Sequence, residues 1–413
     1  MILAIFFFIC FLLVKDYRKT FIFYAPFKFF FTSGVLLYGS ISFDNAISIV
    51  IFLLFILNYR RYAHQDIKKP RWPLMLSFVF LITSETISAI LDNYNYISIP
   101  LKFCRNYGCA LILYYIIQNK KDFHLLFKSL SIYVFLLIGN SILELAGFNI
   151  IGNFLESNMM DKAFFVDTID YGSRGLRLHS FLPHSICFGD VCAILISVLA
   201  FLYYESYYKK RCLLCIILLM IGIVLSNSRT PIVALALYLF PIIKNRFYLK
   251  KKFLFLLAGV IIVVSFGDKI YQLFDAMFVV DSKYATGSSM TMRLEQLEES
   301  IYIAKESILF GLGYNYDLSM FKELRGAESV WFNLLIFGGL FAVLSEIIMF
   351  IQSIINTKIY PSHKYIIWLT IGYLFQQSST YNSGLNDYLF YFCMIMILSY
   401  DILFKDKKRK QTA

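Results

Sequence analysis

Ser288-Ser-Met-Thr-Met-Arg293-Leu-Glu-Gln-Leu-Glu-Glu-Ser300-Ile-Tyr-Ile-Ala-Lys-Glu-Ser-Ile308-Leu-Phe-Gly311-Leu-Gly313 is the centre of a polar insert in a chain that is otherwise mostly hydrocarbon. The insert, residues 267–327, is about sixty residues long and ends at Glu328, where a long apolar run begins. Within it Leu294, Leu297, Ile301, Ala304 and Ile308 recur at three–four spacing. That period predicts an amphipathic helix over about residues 289–310 with one apolar stripe. Ser288 or Ser289 is a plausible N-cap, and Gly311 and Gly313 are a plausible stop. A protein built to lie in a bilayer needs a reason to carry such an insert. We read it as the extramembrane wall of an active site.

The bilayer itself is read from composition. Of 413 residues, 59% are hydrophobic and 16% charged, where a soluble chain carries about 25% charged residues. Apolar runs recur from one end to the other, which predicts an all-α, polytopic integral membrane protein forming a single membrane domain, residues 1–413. The net charge of +12 reads as topology rather than as a nucleic-acid footprint. The eight cysteines sit almost entirely in apolar runs. Cys212 and Cys215 form a CxxC with no second pair to complete a four-ligand zinc site, so no metal and no disulfide framework is expected. Residues 1–14 lack a basic n-region and a small-residue cleavage site, and are expected to be a retained membrane segment.

A helix needs about 20 apolar residues to cross the hydrocarbon. Candidate spans are 2–14, 21–38, 45–57, 73–91, 97–117, 125–147, 181–204, 212–225, 231–243, 253–266, 329–355, 365–376 and 388–404, of which the first two are the weakest, so about 12 spans are expected. Basic residues fall in alternate connections, which hold 25 of the 39 Lys and Arg. The opposite short connections hold only Arg229. By the positive-inside rule the C-terminus is cytoplasmic, and two long polar loops, 148–180 and 267–327, share the outer side. The tail from Lys405 to Lys410 reads as a basic anchor beside anionic lipid.

Several outer residues could carry chemistry. Arg174, Arg177, Arg229, Arg293 and Arg325 all map to the outer face or membrane edge. Arg229 stands out, because positive charge is disfavoured in short outer loops. Guanidinium offers a planar fork of donors suited to phosphate oxygens. The blander account pairs these arginines with Asp161, Asp167, Asp170, Glu295, Glu298 or lipid headgroups. His179 and His184 flank Phe181-Leu-Pro183 and suit either a general base, a phosphate donor or a structural hydrogen bond. Glu328 could orient or deprotonate a sugar hydroxyl, or cap the following span. Charges inside spans are Glu85, Lys102, Arg105, Glu144, Asp190 and Glu346. They point to internal pairing, Glu85 with Arg105 or Lys102 foremost, or to a polar cavity. The chain lacks GxxxxGK[ST], HExxH and GxSxG, which argues against nucleotide-driven, zinc and serine-hydrolase chemistry.

Four stretches together resemble the O-antigen polymerase and ligase superfamily, most closely the Wzy-type polymerases. They are Arg174-Gly-Leu-Arg177-Leu-His-Ser-Phe-Leu-Pro-His184, Ser226-Asn-Ser-Arg229-Thr, the large outer loop with Arg293 ending in Gly311-Leu-Gly313-Tyr, and Glu328 to Phe341 with its Asn-Leu-Leu-Ile-Phe-Gly-Gly centre. The resemblance implies a GT-C-like fold with two periplasmic loops in a bacterial inner membrane. It also implies a glycosyltransferase that uses undecaprenyl-pyrophosphate-linked glycan, without a cofactor, a nucleotide sugar or a metal. By motif position, Arg177, Arg229 and Arg293 would bind the pyrophosphate, with Arg174 a further candidate. Glu328 or His184 would be the base, and a chain-length regulator protein is a candidate partner. Ligases tend to have a histidine where this chain has Glu328, which favours a polymerase. The other readings are a ligase of the same superfamily and a flippase or other multi-span transporter. Two long outer loops and no internal repeat weigh against the transporter.

Overall fold

A computed structural model describes residues 1–30, 35–39, 41–63, 101, 104–158, 177–246, 275, 290–313, 329–379 and 385–405. The described chain is mostly helical. In order it runs α1 (Ile2–Lys15), α2 (Tyr17–Tyr24), a short hairpin of β1 (Leu36–Tyr38) and β2 (Ile41–Ser42), and α3 (Phe43–Ala63). It continues with α4 (Cys109–Ile116), α5 (Lys120–Leu145), α6 (Ile150–Glu156), α7 (Ser185–Tyr204), α8 (Lys209–Ser226) and α9 (Arg229–Arg246). Last come α10 (Met290–Ala304), α11 (Val330–Asn356), α12 (His363–Ser379) and α13 (Leu385–Tyr400), which winds on through Asp401–Lys405. Among the described residues, four helices are long and apolar enough to cross a membrane: α5, α7, α11 and the stretch Asp387–Lys405. Three shorter apolar segments, Ile2–Lys15, Phe43–Tyr59 and Thr230–Ile242, accompany them. The expected spans 73–91 and 253–266 lie outside the described residues.

Helix α7 sits at the centre. Its residues are apolar on every face and buried almost without a break from Cys187 to Leu202, as expected of a helix with no solvent or lipid side. It touches α8, α9, α12 and α13. Small residues allow that crowding. A Cβ on Gly189 would lie 2.5 Å from Pro231 Cγ and 2.7 Å from Ser226 Oγ, so the first turn of α7, the end of α8 and the start of α9 meet there. A Cβ on Gly222 would lie 2.7 Å from Ile138 Cδ1 and 2.8 Å from Cys192 Sγ, which locks α8 onto α5 and α7.

Several charged and polar groups inside the bundle are hydrogen-bonded, as a low-dielectric interior favours. Asp190 accepts from Gln376 Nε2 at 3.1 Å, and Tyr238 donates to Gln376 Oε1 at 2.7 Å. Tyr373 donates to Asp387 at 2.7 Å, and the Tyr107 hydroxyl lies 3.3 Å from Asp387 and 3.5 Å from Glu346. Arg105 Nε donates to Asn106 Oδ1 at 2.9 Å; its expected partner Glu85, and Lys102, lie outside the described residues.

Two expectations change. Residues 21–38 do not form one span. Helix α2 stops at Tyr24, the chain tightens into a 3-10 turn at Ala25–Phe29 around Pro26, and β1 follows. Proline cannot continue the donor ladder, and Lys28 turns inward to pair with Asp44, with Ser48 accepting a further bond at 3.2 Å. Lys405, read from the sequence as part of a lipid-facing anchor, is instead bound within the protein. Its ammonium lies 2.8 Å from Glu205 and 3.3 Å from Asp401.

Lys28 and Asp44 are 3% and 6% exposed. Removing one partner strands a buried charge, at a cost of about 3–5 kcal/mol. We therefore expect Lys28→Met to lower the melting temperature of the detergent-purified protein sharply, and Lys28→Met with Asp44→Leu to recover most of the loss. Equal melting temperatures for the single and double variants would rule out a coupled pair.

Candidate functional site

The sequence singled out the connection before α7 and the turn between α8 and α9. The structure joins them. Leu178 N–H donates to Leu225 O at 3.1 Å, stitching the segment from Arg177 to the last turn of α8. Two residues beyond that turn, Asn227 takes a left-handed conformation (φ 46°) that ends α8, and α9 starts at Arg229. With Gly189 pressed against Pro231, the N-termini of α7 and α9 and the Arg177 segment form one corner of the bundle. Helix N-termini carry partial positive charge and free N–H groups. The corner therefore favours anions even before the guanidinium groups are counted.

Glu144 holds this corner in shape. It lies at the end of α5, and its carboxylate accepts from His179 N–H at 3.2 Å and from Ser180 N–H at 2.6 Å. Ser180 sits at φ +58°, costly for a residue with a side chain, and is held from three sides. Besides Glu144, its hydroxyl donates to Leu137 O at 2.7 Å and lies 3.3 Å from Asn140 Nδ2. Asn140 Nδ2 in turn donates to Asn149 Oδ1 at 2.9 Å, tying in the start of α6. The His179 imidazole is buried, which pushes its pKa down to about 4 and leaves it neutral near pH 7. Its Nε2 is 3.7 Å from Glu144 Oε1, too far for a hydrogen bond.

His184 caps α7. Its Nδ1 accepts the Ile186 N–H at 3.1 Å. With that lone pair engaged, a neutral ring carries its proton on Nε2.

Arg177 is half-buried at the edge of the corner. The backbone of Arg229 is placed as the first residue of α9; its side chain, and all of Arg174, Arg325 and Glu328, lie outside the described residues. Arg293 is in the first turn of α10. It shares a face with Gln296 and Ser300, at three and seven residues' remove, and those two are 1% and 0% exposed. Leu294, Leu297 and Ile301 lie on the other side and are exposed. The face carrying Arg293 is thus the one turned to the protein, and the apolar stripe faces outward. The structure brings Arg177 and the start of Arg229's helix together, and places Arg293 on a helix docked on α11. Glu144 is the member that sequence reading missed as a site residue. Its one sequence signal was a carboxylate near the end of an apolar run.

These features define an integral membrane protein in which the Arg177 segment meets the N-termini of α7 and α9 at one corner of the bundle. The sequence model of the O-antigen ligase family matches residues 213–346, a range that includes Arg229, Arg293 and Glu328. No curated protein matches the chain. The family match supports the O-antigen ligase and polymerase superfamily, glycosyltransferase-like enzymes acting on lipid-linked glycans, and does not separate ligase from polymerase.

Glu144→Gln keeps one acceptor oxygen but turns an NH2 group against a backbone N–H. A buried N–H left without its acceptor costs about 1–3 kcal/mol. The variant should melt earlier and be cut faster by trypsin after Arg177. Unchanged melting and cleavage would exclude the bracing role.

Proposed function

We propose that the protein polymerises undecaprenyl-pyrophosphate-linked oligosaccharide repeat units into O-antigen or a related surface polysaccharide, at the outer face of a bacterial inner membrane. The observation that carries this reading is the corner where the Arg177 segment meets the start of Arg229's helix. A tight turn leads into Arg229 at a helix start, the Arg177 segment is stitched to that turn, and the family match covers Arg229, Arg293 and Glu328.

In this reading the donor glycan's pyrophosphate is held by Arg177, Arg229 and Arg293, with Arg174 adding charge at the rim. The N–H of His184 Nε2 and the N-termini of α7 and α9 add neutral donors. The acceptor hydroxyl oxygen attacks the anomeric carbon. The bond from that carbon to the pyrophosphate oxygen breaks, and the electron pair leaves with the pyrophosphate. The acceptor proton passes to Glu328. A pyrophosphate is already a good leaving group, so the site has more to do in stabilising charge than in delivering a proton. Fixed donors in a partly dry site are well suited to that task. A chain-length regulator protein fits as a partner on the same side of the membrane.

A second reading, ligation of the finished chain onto a lipid A core, is favoured by the description of the matching family. Purified protein with a defined lipid-linked repeat unit separates the two. A ladder of longer lipid-linked products supports polymerase, and transfer only to added core acceptor supports ligase. In the active assay, Arg177→Ala, Arg229→Ala and Arg293→Ala should each cost on the order of 10²–10³ in rate, by analogy with loss of one oxyanion donor. Lysine at the same positions should restore only part of it, since it lacks the planar fork. Wild-type rates in all three alanine variants would sink the arginine clamp.

A further inference from the structure

Helix α11 is not continuous. Gly339 has φ 64° and ψ −163°, a conformation outside the helical range, in the middle of an apolar run. Such a break frees backbone groups that lipid cannot satisfy. Here the segment just after α10 takes them. Leu312 N–H donates to Ile336 O at 2.8 Å and Gly313 N–H to Phe337 O at 3.0 Å. In return Leu340 N–H donates to Ile308 O at 2.9 Å and Phe341 N–H to Leu309 O at 3.1 Å. Each strand of chain gives two bonds and receives two. The Phe310 and Phe341 rings stack beside them at 5.0 Å.

Glycine is required on both sides of this clasp. A Cβ on Gly339 would lie 2.5 Å from Gly311 N, and one on Gly311 would lie 2.5 Å from Gly338 N. Both contacts are with main chain, which cannot swing aside as a side chain can. Gly311 also needs a positive φ, +73°. The two short glycine motifs that stand 25 residues apart in the sequence, Gly311-Leu-Gly313 and Gly338-Gly339, are therefore the two halves of one joint.

We propose that Gly311 and Gly339 are positioning residues for the reaction. Their clasp fixes α10, and Arg293 on its inward face, to the membrane-spanning α11, and it stays closed throughout turnover. This rests on the reading of Arg293 as a pyrophosphate ligand. Residues 290–313 are then a standing wall of the site and not a lid that opens with each cycle. Segments that open are drawn from parts of a fold with few buried contacts and solvated backbone bonds. This one has four interlocking backbone bonds and a buried face that includes Gln296, Ser300, Ile303 and Ala304.

The test is a cross-link. Ile308→Cys and Leu340→Cys are introduced together in full-length protein carrying Cys10→Ser and Cys104→Ser, and the pair is bridged by oxidation or a short bis-thiol reagent. Ile308 and Leu340 are backbone-bonded neighbours, so bridging should be fast in membranes without substrate. The bridged protein should elongate lipid-linked glycan within about twofold of its reduced form. Loss of turnover on bridging, restored by reductant in the disulfide form, would show that the segment has to open and would overturn the proposal. Gly339→Ala and Gly311→Ala should each lower kcat at least tenfold and lower the bridging yield, and bridging should return part of the lost rate. An alanine variant that stays monodisperse with wild-type kcat and wild-type bridging would also overturn it. Bridging yield is read on gels without any turnover. A failure of the clasp therefore shows there, whereas a failure of the glycan reading shows as an inactive wild type, or an active Arg293→Ala, with bridging intact.

Discussion

A backbone amide freed inside a membrane has no water to turn to, and each one left unsatisfied costs several kcal/mol. Several irregular features among the described residues are shaped by that constraint. The left-handed residues at Ser180 and Asn227 lie beside the helix ends they connect. The interruption at Gly339 is matched bond for bond by a second stretch of chain. The two N–H groups at His179 and Ser180 are received by a carboxylate brought from α5. At these places another part of the chain supplies the partners, and Ser180 and Asn227 lie in the segments that form the candidate site.

The bracing of the site follows from the same rule. The segment before α7 cannot be held by apolar packing alone, because its own backbone is polar. Glu144 answers with two carboxyl oxygens, Asn140 with an amide, and Leu225 with a carbonyl at a helix end.

Much of this was legible in the sequence. Apolar runs of the right length located α5, α7, α8, α9, α11, α12 and α13 to within a few residues, because a helix in lipid has little choice but to be apolar for its whole length. The period of Leu294, Leu297 and Ile301 announced an amphipathic helix. It did not say which face meets the protein: Gln296, Ser300, Ile303 and Ala304 are buried, while Leu294, Leu297 and Ile301 are exposed. Residues 21–38 misled, since hydropathy does not register how Pro26 and an inward Lys28 shorten a helix. The corner around Arg177 and Arg229 was legible as two motifs but not as one place, because the joining contact, Leu178 to Leu225, is made by backbone atoms that every residue has. Glu144 and the pairing of Gly311 with Gly339 were illegible for a related reason. Their meaning depends on a partner far along the chain.

The ion pair between Lys28 and Asp44 bears on how the protein is made. The translocon offers segments to lipid in the order of synthesis, and a lone Lys or Asp at the centre of a segment resists partitioning by about 2.5–3.5 kcal/mol. Lys28 emerges 16 residues before Asp44, the carboxylate placed against it. The first segments of the chain therefore have reason to wait at the insertion channel until Asp44 arrives, and to enter the bilayer as one preassembled unit with α3 rather than helix by helix.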